Sequence, residues 1–237
     1  MGSTKKKANR RRPLDILARN ESWVAVVKPA GIAVHGGAGK TGASVIDRLE
    51  EELGAKLHLA HRLDRGTTGV LLLSTTAEGA RAASAAWGSV TKTYLAVTKG
   101  RPKPGRIELP LRDPDGRAKS AVTEVETSLP LEALDAAVVR VRIETGRLHQ
   151  IRRHLAAVGH PVLMDDRHGD FAANKAFGDA VKALGLTKPK HLMLLCRELR
   201  LPPSLFEGRT LVAPWPRSWG ELFGATGLAV DELDGVS

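Results

Sequence analysis

The order of apolar and polar positions predicts short strands and helices along the first third of the chain. Residues 23–27 are rich in β-branched side chains and predict a strand that ends at a Pro-Gly turn. Residues 44–53 carry an apolar stripe of helical spacing, which predicts a helix that stops at Gly54. Residues 70–73 are continuously apolar and predict a buried strand that follows a loop of glycines and threonines.

The middle of the chain predicts one helix followed by several strands. Thr75 and Glu78 fit a capping box that opens an alanine-rich helix extending to about Trp87. The strands after it are predicted at residues 93–98, 120–128 and 136–144. Because strands arrive in runs and do not alternate strictly with helices, the pattern favours an α+β fold over a doubly wound sheet.

Residues 147–158 have the clearest helical periodicity in the chain. Their apolar positions predict a core-facing stripe that consists of Leu148, Ile151, Leu155 and Val158. A further helix is predicted at residues 173–184, and closing strands at residues 191–201 and 210–213.

Charge divides the chain into a basic tail and one continuous domain. Residues 1–13 contain Lys5-Lys6-Lys7 and Arg10-Arg11-Arg12, and this segment is too polar to bury a core and is expected to be disordered. It is either a solubilising tail or an arm that lies on a phosphate backbone. Residues 14–237 are expected to form one catalytic domain. The net charge of +10 and the pI of about 10.0 favour a polyanionic partner, nucleic acid before membrane.

Several classes of protein are disfavoured by composition. No apolar run approaches the ~20 residues that span a bilayer, and no apolar segment follows the basic start as in a signal peptide, so a cytoplasmic protein is expected. Cys196 is the single cysteine, which excludes an intramolecular disulfide and a thiolate zinc site. Three neighbouring histidines have no carboxylate at zinc-ligand spacing, so no metal is expected.

Residues 36–41 partly resemble a phosphate-binding loop, because they contain Gly-Lys-Thr after several glycines. The phosphate-binding loop pattern requires a glycine five residues before the Gly-Lys pair, and that position is Val34. A flexible glycine loop is favoured, and a nucleotide-binding enzyme stays as a competing hypothesis.

Two segments carry candidate chemistry. Asp64 lies between Arg62 and Arg65 in a loop just before a predicted buried strand, a position typical of catalytic groups but also of surface ion pairs. Residues 147–153 place three arginines near the start of a helix, against its dipole. Such a cluster indicates either an anionic ligand or buried carboxylate nearby, or a solvated basic face.

Four motifs in one order carry a resemblance to a known family. They are Lys28-Pro29-x-Gly31-x-x-Val34-His35, His61-Arg62-Leu63-Asp64-x-x-Thr67-x-Gly69, Lys92-x-Tyr94-x-Ala96 and Thr145-Gly146-Arg147-x-His149-Gln150-Ile151-Arg152. From about Leu14 to Pro216 the chain resembles the RluA family of pseudouridine synthases. It departs from the family pattern where Thr68 replaces Ser, Met164 replaces Gly, and Leu195-Cys196 replaces His-Ala.

The resemblance implies a mixed, largely antiparallel sheet with a central catalytic cleft and no cofactor. It implies that Asp64 is the nucleophile, that Tyr94 packs on the target uracil and assists the late proton transfer, and that Arg147 pairs with Asp64. Arg62 is implied to occupy the space of the flipped-out uridine. The side chains expected to contact RNA are Arg62, Arg65, Lys92, Gln150, Arg152 and Arg153.

Residues 153–174, including His168-Gly169, resemble the tRNA pseudouridine synthase C subgroup, which lacks the N-terminal S4 RNA-binding domain. The segment before Leu14 has no room for that domain. The expected partner is therefore structured RNA, with tRNA favoured over ribosomal RNA, and the expected state is a monomer. A ribosomal RNA pseudouridine synthase and an inactive RNA-binding protein of the same fold are the alternatives.

Overall fold

The computed structural model describes residues 13–36 and 43–234, so the basic tail and most of the glycine loop lie outside the described residues. The strands are β1 Ile16–Arg19, β2 Trp23–Lys28, β3 His58–Leu59, β4 Thr68–Ser74, β5 Thr91–Lys99, β6 Gly105–Ile107, β7 Leu111–Arg112, β8 Ala118–Lys119, β9 Thr123–Leu131, β10 Ala136–Ile143, β11 Leu194–Arg200 and β12 Thr210–Val212. The helices are α1 Val45–Leu53, α2 Ala77–Ala86, α3 Gln150–Ala157, α4 Phe171–Ala183, α5 Arg217–Thr226 and α6 Asp231–Asp234.

One mixed sheet organises the chain. Its strand order is β1-β2-β4-β11-β5-β10-β9-β6, with β12 paired to β11 and β3 to β4, while β7 and β8 form a separate ribbon. Every pairing is antiparallel except that of β11 with β4. The predicted α+β fold with a mostly antiparallel sheet is confirmed.

The parallel contact between β4 and β11 depends on a glycine. Gly69 has a φ of 114°, and a Cβ atom at this position would lie 2.1 Å from the carbonyl oxygen of Cys196. Any larger residue would separate the two strands. The close contact fixes the start of β4, and with it the loop that carries Asp64, at the middle of the sheet.

The start of α2 corrects one prediction. Thr76 caps this helix, because its extended backbone lets its side chain accept from the Gly79 amide at 3.0 Å. The Thr75 hydroxyl instead donates to the Glu21 carbonyl, so the predicted Thr75–Glu78 capping box is wrong. A complete capping box occurs at the start of α1, where Ser44 and Asp47 exchange bonds.

Helix α3 is shorter than its periodicity predicts. His149 adopts a left-handed conformation with φ of 53°, so the helix begins at Gln150. Ile151 and Leu155 are buried as predicted, but Leu148 and Val158 lie beyond the helix ends and are 51% and 42% exposed. The predicted core stripe is therefore wrong at both ends.

Candidate active site

A cavity of about 1180 Å³ lies where the loop before β4, the start of α3 and the segment before α4 meet. Asp64 and Arg152 line it together with exposed basic side chains, among them Arg62, Arg65, Arg147 and Arg167. Cations outnumber the aspartates Asp64, Asp165 and Asp166 in this lining, and such a basic cleft suits a polyanionic substrate.

The Asp64 loop is fastened to the turn after β2. The Gly31 amide donates to the Arg65 carbonyl, and Arg65 Nε returns a bond to the Gly31 carbonyl, each at 2.8 Å. The Thr68 hydroxyl donates to the Lys28 carbonyl at 2.8 Å, which shows why threonine can replace the usual serine. These bonds hold Asp64 in a preorganised loop.

Lys28 is a fully buried cation beneath this loop, to which the sequence motif assigned no role. Its Nζ donates to the carbonyls of Pro29 and Ile32 at 2.9 Å and of Arg65 at 3.2 Å. Burial lowers the pKa of Lys28 to about 7, although the neighbouring Asp64 carboxylate opposes this shift. Lys28 therefore joins the two loops and places its ammonium group near the candidate nucleophile.

Arg152 holds Asp64 in place. Its Nη1 donates to Asp64 Oδ2 at 3.1 Å, while its Nε and Nη2 form a fork on Asp165 at 2.6 and 2.7 Å. Burial alone would lower the pKa of Arg152, but the bonds to Asp165 and Asp64 raise it. The Asp165 side chain is fully buried, whereas Asp64 keeps 25% of its side-chain surface exposed. Arg152 thus bridges a buried structural carboxylate and an accessible one.

This geometry corrects the assignment of Arg147. Arg147 precedes α3 and is exposed, and its Nε donates to the Ser120 carbonyl at 3.0 Å. The guanidinium that reaches Asp64 belongs to Arg152, the third residue of α3. The left-handed His149 is the physical reason, since it turns the preceding backbone away from the helix axis.

Three residues expected to contact RNA are instead buried. Lys92 donates to the Trp87 carbonyl at 3.3 Å, Gln150 binds residues 122, 123, 145 and 147, and Arg152 lies between its two aspartates. Polar side chains that already satisfy one another inside the protein are not available to a backbone phosphate. Arg62 and Arg65 are exposed on the cleft, and Arg153 is half-buried and donates to the Arg112 carbonyl at 3.0 Å.

Two histidines complete the surroundings of Asp64. His149 Nε2 lies 3.7 Å from Asp64 Oδ2, and His149 Nδ1 lies 2.8 Å from His168 Nε2. Burial lowers the pKa of both imidazoles, so the neutral pair shares one hydrogen bond. The unusual His168-Gly169 was the only sequence signal for this contact, and it carried no predicted catalytic role.

Tyr94 lies on β5, opposite Cys196 of β11, and is 8% exposed. Burial raises the pKa of Tyr94 well above its usual value, and a hydrogen bond with Cys196 and the nearby Asp64 carboxylate add to the shift. The phenol is therefore neutral. Burial also raises the pKa of the Cys196 thiol to about 12, so this buried thiol is protonated.

Neither a metal-ligand cluster nor a membrane-spanning helix occurs in the described part of the chain. Residues 13–36 and 43–234 contain no group of three or more His, Cys, Asp and Glu side chains arranged to hold a metal ion. In the same part of the chain, none of the helices combines the length and the apolar character needed to cross a membrane.

The accessible aspartate held by an arginine in a basic cleft fits an enzyme that acts on a polyanion. The family model described as RNA pseudouridylate synthase matches residues 22–157. The chain belongs to this family of enzymes, which isomerise uridine in RNA.

Individual relatives agree with the family. The chain is 32% identical to a tRNA pseudouridine synthase C of Yersinia pestis, over 91% of this chain and 93% of that protein. It is 33% identical to a ribosomal large subunit pseudouridine synthase D of Zymomonas mobilis, over 66% of this chain and 56% of that protein. The solved structure of Human RNA Pseudouridylate Synthase Domain Containing 4 superposes with a TM-score of 0.73 at 28% identity, covering 90% of this chain and 93% of that one.

Proposed function

We propose that this pseudouridine synthase acts on tRNA, with Asp64 as its nucleophile. The observation that carries the proposal is the accessible Asp64 carboxylate, held by buried Arg152 at 3.1 Å inside a cationic cleft. The match to a tRNA enzyme over nearly the full length of both proteins supports tRNA, because the ribosomal relative is matched over only 56% of its length. We further propose a cytoplasmic monomer.

The chemistry needs one carboxylate. As the bond between uracil N1 and ribose C1′ breaks, Asp64 either bonds covalently to the sugar or stabilises its cation-like form. The freed uracil rotates and its C5 bonds to C1′, which displaces the Asp64 carboxylate if it had bonded there. The C5 proton then leaves and N1 regains a proton. A glycoside hydrolase would employ two carboxylates about the reacting carbon. Asp165 cannot be the second, since it is fully buried and bound to Arg152.

Tyr94 is the proposed participant in the late proton transfer. Tyr94→Phe keeps the ring that packs in the sheet but removes the neutral hydroxyl near Asp64. We expect RNA binding to persist. The rate of product formation should fall by roughly 10²-fold or more, the range typical of the loss of a general acid or base. Single-turnover assays that separate glycosidic cleavage from product formation measure this. Wild-type rates for Tyr94→Phe would reduce Tyr94 to a packing residue.

Arg62 is the proposed side chain that enters the RNA helix. It is exposed at the cleft beside Asp64, and filling the gap left by a flipped uridine offsets part of a cost of a few kcal/mol. Arg62→Ala should therefore slow turnover on a folded stem more than on a short unstructured RNA. Arg167→Ala, at another point of the same cleft, is the control. It should weaken the binding of both RNAs to the same extent. Equal defects for Arg62→Ala on the two RNAs would make Arg62 a phosphate contact.

The substrate class is tested with the purified protein and two sets of transcripts. Wild-type protein is incubated with tRNA transcripts and with ribosomal RNA fragments, and pseudouridine positions are mapped, with Asp64→Asn as the inactive control. We expect modification of a small number of tRNA positions. Modification confined to ribosomal RNA would contradict the tRNA assignment. Binding without pseudouridine in any transcript would favour the inactive RNA-binding alternative.

A further inference from the structure

Phe171 stands apart from the other phenylalanines of the chain. It is 87% exposed, whereas Phe177, Phe206 and Phe223 are at most 2% exposed. It is the first residue of α4 and lines the same cavity as Asp64. Burying such a ring would contribute roughly 1.5–3 kcal/mol to folding, so its near-complete exposure in the cleft leaves this apolar surface available to a bound molecule.

The ring stands on rigid backbone. The Asp170 side chain caps α4 by accepting from the Ala173 amide at 3.0 Å, and Lys99 fixes the same carboxylate at 2.7 Å. Asn174 accepts from the Met164 amide at 2.7 Å and donates to the Asp165 carbonyl at 3.0 Å. Because Asp165 also carries the fork of Arg152, the start of α4 is connected to Asp64 through direct contacts.

The backbone beneath Phe171 is packed to contact distance. A Cβ atom at Gly169 would lie 2.1 Å from the Asp165 carbonyl oxygen, so the chain leading into α4 lies directly on the Asp165 backbone. Met164 holds a left-handed φ of 60° at the same junction, which explains why glycine is usual in the family at this position. The position of Phe171 relative to the nucleophile is therefore set by covalent and packing constraints.

Cations line the same cavity as the ring. Arg167, Lys188 and Lys190 are among its lining residues, and within the described residues none of the three forms an ion pair. Lys175 also lies there, paired with Asp179 at 3.1 Å. Asp166 is an exposed acidic group of this lining and is outnumbered by the cations. An aromatic face among unpaired cations suits an unstacked nucleobase with phosphates on either side.

We propose that Phe171 is a stacking platform for an unpaired base of the RNA substrate, outside the pocket of the target uridine, and that Arg167, Lys188 and Lys190 hold the phosphates beside that base. The inference rests on the proposed function in that the occupant is RNA. Stacking on an aromatic ring tolerates every base, so this contact adds affinity and fixes the RNA in the cleft without reading sequence.

The test compares four variants for binding to the tRNA transcripts that the wild-type protein binds, whether or not it modifies them. Phe171→Ala and Phe171→Leu remove the ring, Phe171→Trp retains an aromatic face, and Leu184→Ala truncates an exposed apolar residue at the other end of α4. Removal of one stacked base should weaken Kd about 5- to 100-fold for the Ala and Leu variants. KM should rise accordingly and kcat at saturation should stay near the wild-type value, while the Trp and control variants bind as the wild type does.

A fluorescent base identifies the contact itself. Bound transcripts that carry 2-aminopurine at single positions should show quenching with the wild-type protein and Phe171→Trp at one position, and no such quenching with Phe171→Ala. Wild-type affinity in Phe171→Ala, or in Phe171→Leu, overturns the proposal. So does a dimer, seen by sedimentation, that Phe171→Ala converts to a monomer, because the ring would then lie in a protein interface. Binding and quenching need no turnover, so wild-type protein without activity overturns the proposed function and leaves this inference to the binding results.

Discussion

Asp64→Asn should abolish pseudouridine formation while leaving the protein folded and able to bind RNA. The amide keeps the size of the carboxylate but cannot act as a nucleophile or stabilise a cation-like sugar. Arg152 retains its fork on Asp165, so the supporting network survives. By comparison with the loss of nucleophiles in other covalent enzymes, we expect turnover to fall by roughly 10⁴-fold or more.

Single-turnover conversion of a tRNA transcript measures this loss, and thermal unfolding and RNA affinity report the integrity of the variant. Asp166→Asn is the matched control, because Asp166 is an exposed carboxylate of the same cleft. It should retain activity. Readily measurable turnover by Asp64→Asn would remove Asp64 from the chemistry, whatever its position in the cleft.

Arg152→Met should cause the largest loss of stability among changes at the site. It leaves the fully buried Asp165 carboxylate without its guanidinium, and an unpaired buried charge costs about 3–5 kcal/mol. The bonds of Arg152, with those of the backbone amides of residues 167 and 168, offset burial and lower the pKa of Asp165. Without these bonds the pKa of Asp165 should rise in the variant, because burial then favours the protonated carboxyl. We expect a lower denaturant midpoint and no turnover.

Further variants separate stability from catalysis. Asp165→Asn combined with Arg152→Met should regain part of the stability, because the neutral amide is cheaper to bury. Arg152→Lys keeps the charge but loses the planar fork, so it cannot serve both aspartates. Arg152→Lys should be more stable to denaturant than Arg152→Met, but its turnover rate should stay far below that of the wild type. Arg147→Lys is the decisive comparison: a severe defect there, with Arg152→Lys active, would restore Arg147 as the partner of Asp64.

The sequence determined the features that depend on local pattern. Helix α1 and strands β2, β4, β5 and β10 are recognisable in the sequence. An apolar run buries its side chains in a strand, and an apolar stripe of helical spacing buries them on one face of a helix. The motif around Asp64 indicated the candidate nucleophile and, through resemblance, the enzyme class. The ends of α3 were not predictable in this way, since one left-handed residue, His149, decides where the helix begins.

Only the tertiary structure decided which charges meet. In sequence, Arg147, Arg152 and Lys92 are all cationic members of the motifs, but ion pairing depends on direction and burial across distant elements. Arg152 lies 88 residues from Asp64 and reaches it because the fold brings the start of α3 to the loop that precedes β4, whereas Lys92 is buried. Lys28, His168 and Phe171 acquired their significance in the same way. Local pattern specifies elements, and the packing of those elements selects the partners that form the site.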